Sequence, residues 1–321
     1  MSRVESASGG IAARWRWNRL VKLALTGGAF VALAIAAWRF REAITNVISS
    51  TNPWLLGLST VIALLANYLT GFPFHRFLSQ AGIESSPARA CYLQLVAQVA
   101  KYIPGNIWSA VLQAQLIGSG RIGALFLAGI DVSIFFMMTV TSTGLGLLIY
   151  CQSPALGWAV ALCGWLLSAS IASSAWLIRL IDRLACLLGK QLHAPAISSS
   201  TREIARLFAW ASIHSVTMLL SIFCMLIATT PYRHADLIIS VASICLAWVA
   251  GTIAIFVPSG LGVREVAFVY LASKFGVSAD IKLLGAISIV ARVTQTLPDI
   301  LAAGVVGVVE LSSSLRRRRP E

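Results

Sequence analysis

VPSGLGVRE (Val257 to Glu265) interrupts one long apolar helix, and KYIPGNIW (Lys101 to Trp108) interrupts another in the first half of the chain. Proline and glycine open the backbone at both places, and charged residues sit beside the openings. Six charged residues lie within apolar stretches: Lys101, Asp131, Arg264, Glu265, Arg292 and Asp299. A charge at the centre of a bilayer costs about 2.5–3.5 kcal/mol on the insertion scale. A broken helix exposes backbone groups that lipid cannot satisfy. Both features are tolerated around a protein-lined or watery cavity. One break per half of the chain is the pattern of a polar site near the membrane midplane, built from discontinuous helices.

The rest of the composition agrees. The chain is 58% hydrophobic and 12% charged, against about 25% charged for a soluble domain. Several runs reach the roughly 20 apolar residues that span hydrocarbon. The first, Leu20 to Trp38, is too long for a signal-peptide core and resembles an uncleaved signal anchor. The expected fold is therefore an all-α polytopic membrane protein. The net charge of +13 follows the positive-inside rule, not a nucleic-acid footprint. Of 25 Lys and Arg, seventeen fall on one side, from Arg3 to Lys22, at Arg76, Arg89 and Arg121, from Arg179 to Arg206, and in Arg316 to Arg319. Five (Arg39, Arg41, Arg233, Lys274 and Lys282) lie in loops on the other. Both termini are thus expected in the cytoplasm, with the protein in the inner membrane. Residues 1–19 form a basic N-terminus, 20–311 the transmembrane domain and 312–321 a basic tail. The six cysteines contain no CxxC and do not pair with the four histidines at metal spacing. No metal, cofactor or catalytic motif is expected, and no enzyme.

Full spans read at about 20–40, 53–74, 122–150, 155–178, 204–229 and 281–311, with broken segments at 88–118 and 236–276. Two spans bring the chain back to the cytoplasm near His75 and Arg76. Residues 88–103 make roughly 24 Å of helix, short for a full crossing. Residues 263–275 make only about 20 Å. The basic tail must end inside, so each broken segment reads as a re-entrant hairpin, the two entering from opposite faces. The expectation is about six spans plus two oppositely oriented hairpins.

In the first hairpin Gln94, Gln98 and Lys101 share one helix stripe, Pro104-Gly105 ends the helix, and Asn106 can cap the next. The new helix directs N–H groups and a positive dipole end at a phosphate or carboxylate; alternatively Lys101 snorkels and Pro-Gly only turns the chain. At the second break Pro258, Gly260 and Gly262 loosen the backbone before Arg264 and Glu265. Glu265 either faces the cavity or satisfies donors at the helix start. The last span carries Ser288, Arg292, Gln295 and Asp299 as a polar stripe, with Pro298 expected to kink it. Arg292 and Asp299 lie about 10 Å apart along the axis. Each is expected to meet a charge elsewhere, Glu265 for Arg292 and Lys101 or Arg264 for Asp299. Asp131 could face Lys101. Asn67 and His214 read as interhelical hydrogen-bonding groups. The excess of positive groups favours an anionic lipid head group, and the competing reading of the same charges is a structural ion-pair lattice.

KYIPGNIW, the helix start from Gly118 to Ala124-Leu125, and PSGLGVREVAFVYLA resemble the lysyl-phosphatidylglycerol synthase transmembrane region, also called the flippase-like family. The resemblance covers essentially the whole chain. GLGVRE is its most specific block, and it carries over to Lys101, Pro104, Gly105, Trp108, Gly260, Gly262, Arg264 and Glu265. In bifunctional members this region resembles a lipid-translocating half followed by a soluble aminoacyl-transferase domain, which is not expected here. The resemblance implies translocation of an anionic phospholipid or a polyprenyl-phosphate-linked lipid. The alternative is a non-transporting membrane partner or regulator of an envelope-biosynthesis enzyme, such as a glycosyltransferase. A membrane transferase is disfavoured by the lack of paired catalytic carboxylates.

Overall fold

The structure is a computed structural model, and it describes residues 34–35, 38–39, 41–80, 82–100, 108–117, 162, 200–229, 234–254 and 257–317. The expected span at 122–150, that at 155–178 but for Leu162, the first span but for its end, and Lys101, Pro104, Gly105, Asn106 and Asp131 lie outside these residues. Every regular element among the described residues is helical. In chain order they are α1 (Arg41–Ser50), α2 (Pro53–Leu69), α3 (Gly71–Gln80), α4 (Pro87–Ala100), α5 (Trp108–Ile117), α6 (Thr201–Thr229), α7 (His234–Ile253), α8 (Val263–Lys274) and α9 (Ile281–Arg317).

Two sequence expectations are corrected here. Arg41, Lys274 and Lys282 are expected in loops, yet Lys274 ends α8, Lys282 lies in the first turn of α9, and Arg41 opens α1, which lies against α9 with Val47 buried among Ala286 and Val290. This element is short and mixed in composition, so its helicity comes from packing and not from propensity. The span expected to close near residue 74 continues as α3 to Gln80, and His75 and Arg76 sit within that helix. Phe74, Phe77 and Leu78 are buried, which extends the packed core past the expected turn.

Pro53 occupies the first turn of α2, and the Asn52 side chain accepts hydrogen bonds from Trp54 N at 3.0 Å and Leu55 N at 3.4 Å. Pre-set φ and a side-chain acceptor fix where the helix begins. Ser59, Ala63, Ala66 and Thr70 form a buried stripe of small residues along α2. They face α6, where Ser221 and Met218 are buried. Ser59 Oγ donates to Ser221 O, and Ser221 Oγ donates to Ser59 O, both at 2.8 Å. Small residues let the two backbones approach, and the hydroxyls then bond across. The outer faces are the reverse: Trp54, Leu58, Val61 and Leu65 on α2, and Ile213, Val216, Leu220 and Phe223 on α6, are all exposed. Small and polar groups inside with large apolar groups outside is the arrangement lipid rewards. The run Pro53–Ser79, which takes in α2 and most of α3, and α6 are each long and apolar enough to cross a membrane.

The second core joins α6 to α9. Ile222, Met225 and Leu226 pack with Leu237, Val241 and Ile244 of α7, Phe268 of α8, and Leu284 and Ile287 of α9. The last helix is the hub. It contacts α1, α2, α4, α6 and α8, and at 37 residues it runs to about 55 Å without stopping at Pro298.

Candidate functional site

The second break is present in the backbone. Helix α7 stops at Ile253, a 3-10 turn occupies Pro258–Gly260, and α8 starts at Val263 and packs back against α7. Turn hydrogen bonds carry the chain through part of it, from Val257 N to Ala254 O and from Gly260 N to Val257 O, each at 3.0 Å. Ser259 takes φ 51°, the one positive φ at a non-glycine residue among the described residues. Gly260 and Gly262 follow at φ 64° and 82°. Three left-handed residues within four positions reverse the chain tightly, and glycine bears two of them without steric cost. Ser259 bears the third under strain.

What holds Ser259 there is on α9. Arg292 donates from its terminal guanidinium nitrogen to Ser259 O at 3.0 Å, and its Nε lies 3.6 Å from Glu265 Oε1. One cation thus ties the last helix to both the turn and the first turn of α8. The pairing of Glu265 with Arg292 is the one expected from the sequence. The competing idea, Glu265 as a cap for its own helix, is corrected: Gly262 is the N-cap and no side chain caps α8. The ion pair pulls the carboxylate to α9 instead. Both side chains are almost fully buried, 9% and 11% exposed, and Glu265 Oε2 has no hydrogen-bond partner among the described residues.

Arg264 leaves α8 in a different direction, as expected for adjacent helix positions. Its side chain crosses Gly251 of α7, and its Nε comes close to Gly260. The two arginines therefore approach the same turn, Arg292 at Ser259 and Arg264 at Gly260. Sequence reasoning did not single out Gly251. Its only signal was a small residue in an apolar helix a few positions before a break, beside Ala250.

Farther along α9 the polar stripe fans out to other helices. Gln295 Oε1 accepts from Trp248 Nε1 of α7 at 3.3 Å, and Asp299 Oδ1 accepts from Asn67 Nδ2 of α2 at 2.9 Å. Asn67 thus makes the interhelical bond expected of it, and it is a partner of Asp299 that the sequence did not suggest. Ser288 bonds to its own helix, at Gly285 O, and takes no part in the seam. His214 is buried on α6, and its Nδ1 has no partner among the described residues. Helices α4 and α5 pack on each other, with Gln94 buried and Gln98 half-buried on α4. No cluster of His, Cys, Asp and Glu among the described residues could hold a metal.

Chemically, this is a buried cation with a displaceable carboxylate, next to a second cation and an uncapped helix start. Such a set can bind an anion by exchange, with the incoming oxygens replacing those of Glu265. No curated protein matches the chain. The family model for the lysylphosphatidylglycerol synthase TM region matches residues 19–303 and so takes in the breaks, both arginines and the polar seam of α9. The chain is a membrane protein that belongs to the lysylphosphatidylglycerol synthase TM region family.

Proposed function

We propose that this protein carries an anionic lipid, either a phospholipid or a polyprenyl-phosphate-linked saccharide, across the inner membrane without chemically altering it. The observation that carries this reading is Arg292, buried on α9 and bound at once to the backbone of a helix break and to a carboxylate left half-satisfied. A family with a lipid-related membrane role supplies the setting. In the empty state Glu265 neutralises Arg292. An arriving phosphate takes over the cation, joined by Arg264 and by the N–H groups at the start of α8. Release of Glu265 unties α8 from α9, so occupancy of the site is coupled to the contact between the helices that must part. Lys101 at the first break adds a further positive group in this scheme, and Asp131 and Asp299 join Glu265 in balancing the charge.

The architecture in the proposal is two re-entrant hairpins open to opposite faces, with both termini cytoplasmic. Single cysteines at Phe275 and Ser313, in a background free of the six native cysteines, test it. Phe275 should label from outside and Ser313 from inside, and outward labelling at Ser313 overturns the topology. Transport is tested in proteoliposomes that carry fluorescent phosphatidylglycerol on one leaflet. Wild-type protein should move the lipid, while R292A and R264A should not, at equal folded protein. Normal transport per folded molecule in both variants would make these charges a structural lattice. The reading as a non-transporting partner of an envelope enzyme stands if the wild-type protein moves no lipid.

A further inference from the structure

Arg264 reaches the break through a slot made by two glycines. Gly251 lies in the last turn of α7 and is buried. A Cβ built there would sit 2.5 Å from Arg264 Nε and 2.9 Å from its Cδ, and would also press on Cγ. Gly260 closes the other side, where a Cβ would lie 3.0 Å from the same Nε and 2.8 Å from Gly251 Cα. The arm of the arginine therefore runs over bare backbone, with no room for even a methyl group beneath it.

The geometry points to Gly251 as a positioning residue for Arg264, setting where the second guanidinium stands for a phosphate head group. This rests on the reading of Arg264 as a head-group contact. The two glycines differ in what a methyl group would do. At Gly260 it meets the backbone of Gly251, which cannot move aside, and the position has φ 64°. At Gly251 it meets the middle of a flexible side chain. Rotating the arginine out of the slot relieves the overlap, so Gly251→Ala is expected to displace the cation. A phosphate that needs both guanidiniums loses one charged hydrogen bond, which is worth about tenfold or more in affinity.

Four proteins in nanodiscs decide it: wild type, G251A, R264A and the double variant, each titrated with fluorescent phosphatidylglycerol. G251A and R264A should each weaken binding about tenfold or more, and the double variant should bind no worse than R264A. A G251A effect that persists undiminished in the double variant would make the glycine a packing residue only, and wild-type binding by G251A also overturns the proposal. Wild-type binding by R264A instead sinks the head-group reading on which it rests. If G251A accumulates poorly, the double variant still decides: recovery of folded protein on removing the Arg264 side chain supports the slot, and no recovery refutes it.

Discussion

Replacing Arg292 with methionine should damage the protein more than replacing Arg292 and Glu265 together. Arg292 supplies Glu265 with its cation at 3.6 Å and Ser259 O with a donor at 3.0 Å. R292M removes both and leaves a carboxylate at 11% exposure with neither oxygen served by that cation. Breaking one side of a buried pair costs about 3–5 kcal/mol, because the partner charge stays desolvated. Adding E265Q removes that charge. What remains is the unpaired Ser259 carbonyl, about 1–3 kcal/mol. The double variant should therefore be more stable than R292M by about 2 kcal/mol, a coupling well above the error of a mutant cycle. Reversible unfolding in mixed micelles, followed by tryptophan fluorescence, measures all four corners. The reasoning fails if R292M falls within about 0.5 kcal/mol of wild type, the range of an ordinary surface substitution. It fails equally if the two single losses simply add.

Other expectations are narrower. Asn52→Ala should cost about 1 kcal/mol of stability by removing the cap of α2, while Asn52→Asp should cost much less, in the same unfolding assay. Ser59→Ala and Ser221→Ala should show a coupling of about 0.6 kcal/mol in a double-mutant cycle, since each hydroxyl bonds the other residue's carbonyl. Gly260→Ala should lose at least about 1–2 kcal/mol to its left-handed backbone alone, with further loss from contact with Gly251. Unlike the overlap at Gly251, this loss should remain in the R264A background.

The second break was legible because its signals are local. Pro258, Gly260 and Gly262 stop a helix whatever surrounds them, and charges beside such a stop require a partner. Arg292 and Glu265 could be matched because they are opposite charges in otherwise apolar runs, and each such charge needs a partner. Asn67 could not be matched to Asp299, since a bond across a sequence separation of 232 leaves no mark in either helix. The slot under Arg264 was hidden for a different reason: it consists of missing atoms, and a glycine in an apolar helix reads the same whether or not something crosses it. Helix α1 is not legible as a span because it is short and mixed in composition, and its stability comes from α9, about 240 residues later in the chain.

The paired serines of α2 and α6 carry a consequence for biogenesis. They are separated by 162 residues, so at about 5–20 residues per second the ribosome needs roughly 8–30 s to produce the partner after Ser59 has been made. For that interval the run Pro53–Ser79 is already apolar enough to leave the translocon, while Ser59 and Asn67 lack the partners they bond in the fold. Asp299, which ends the wait for Asn67, is made later still. The nascent protein must therefore either stay sheltered at the insertion machinery until its last helix emerges or present a polar edge to lipid. Depletion of intramembrane chaperones should on this account strand the chain after α2 has inserted and before α6 has docked.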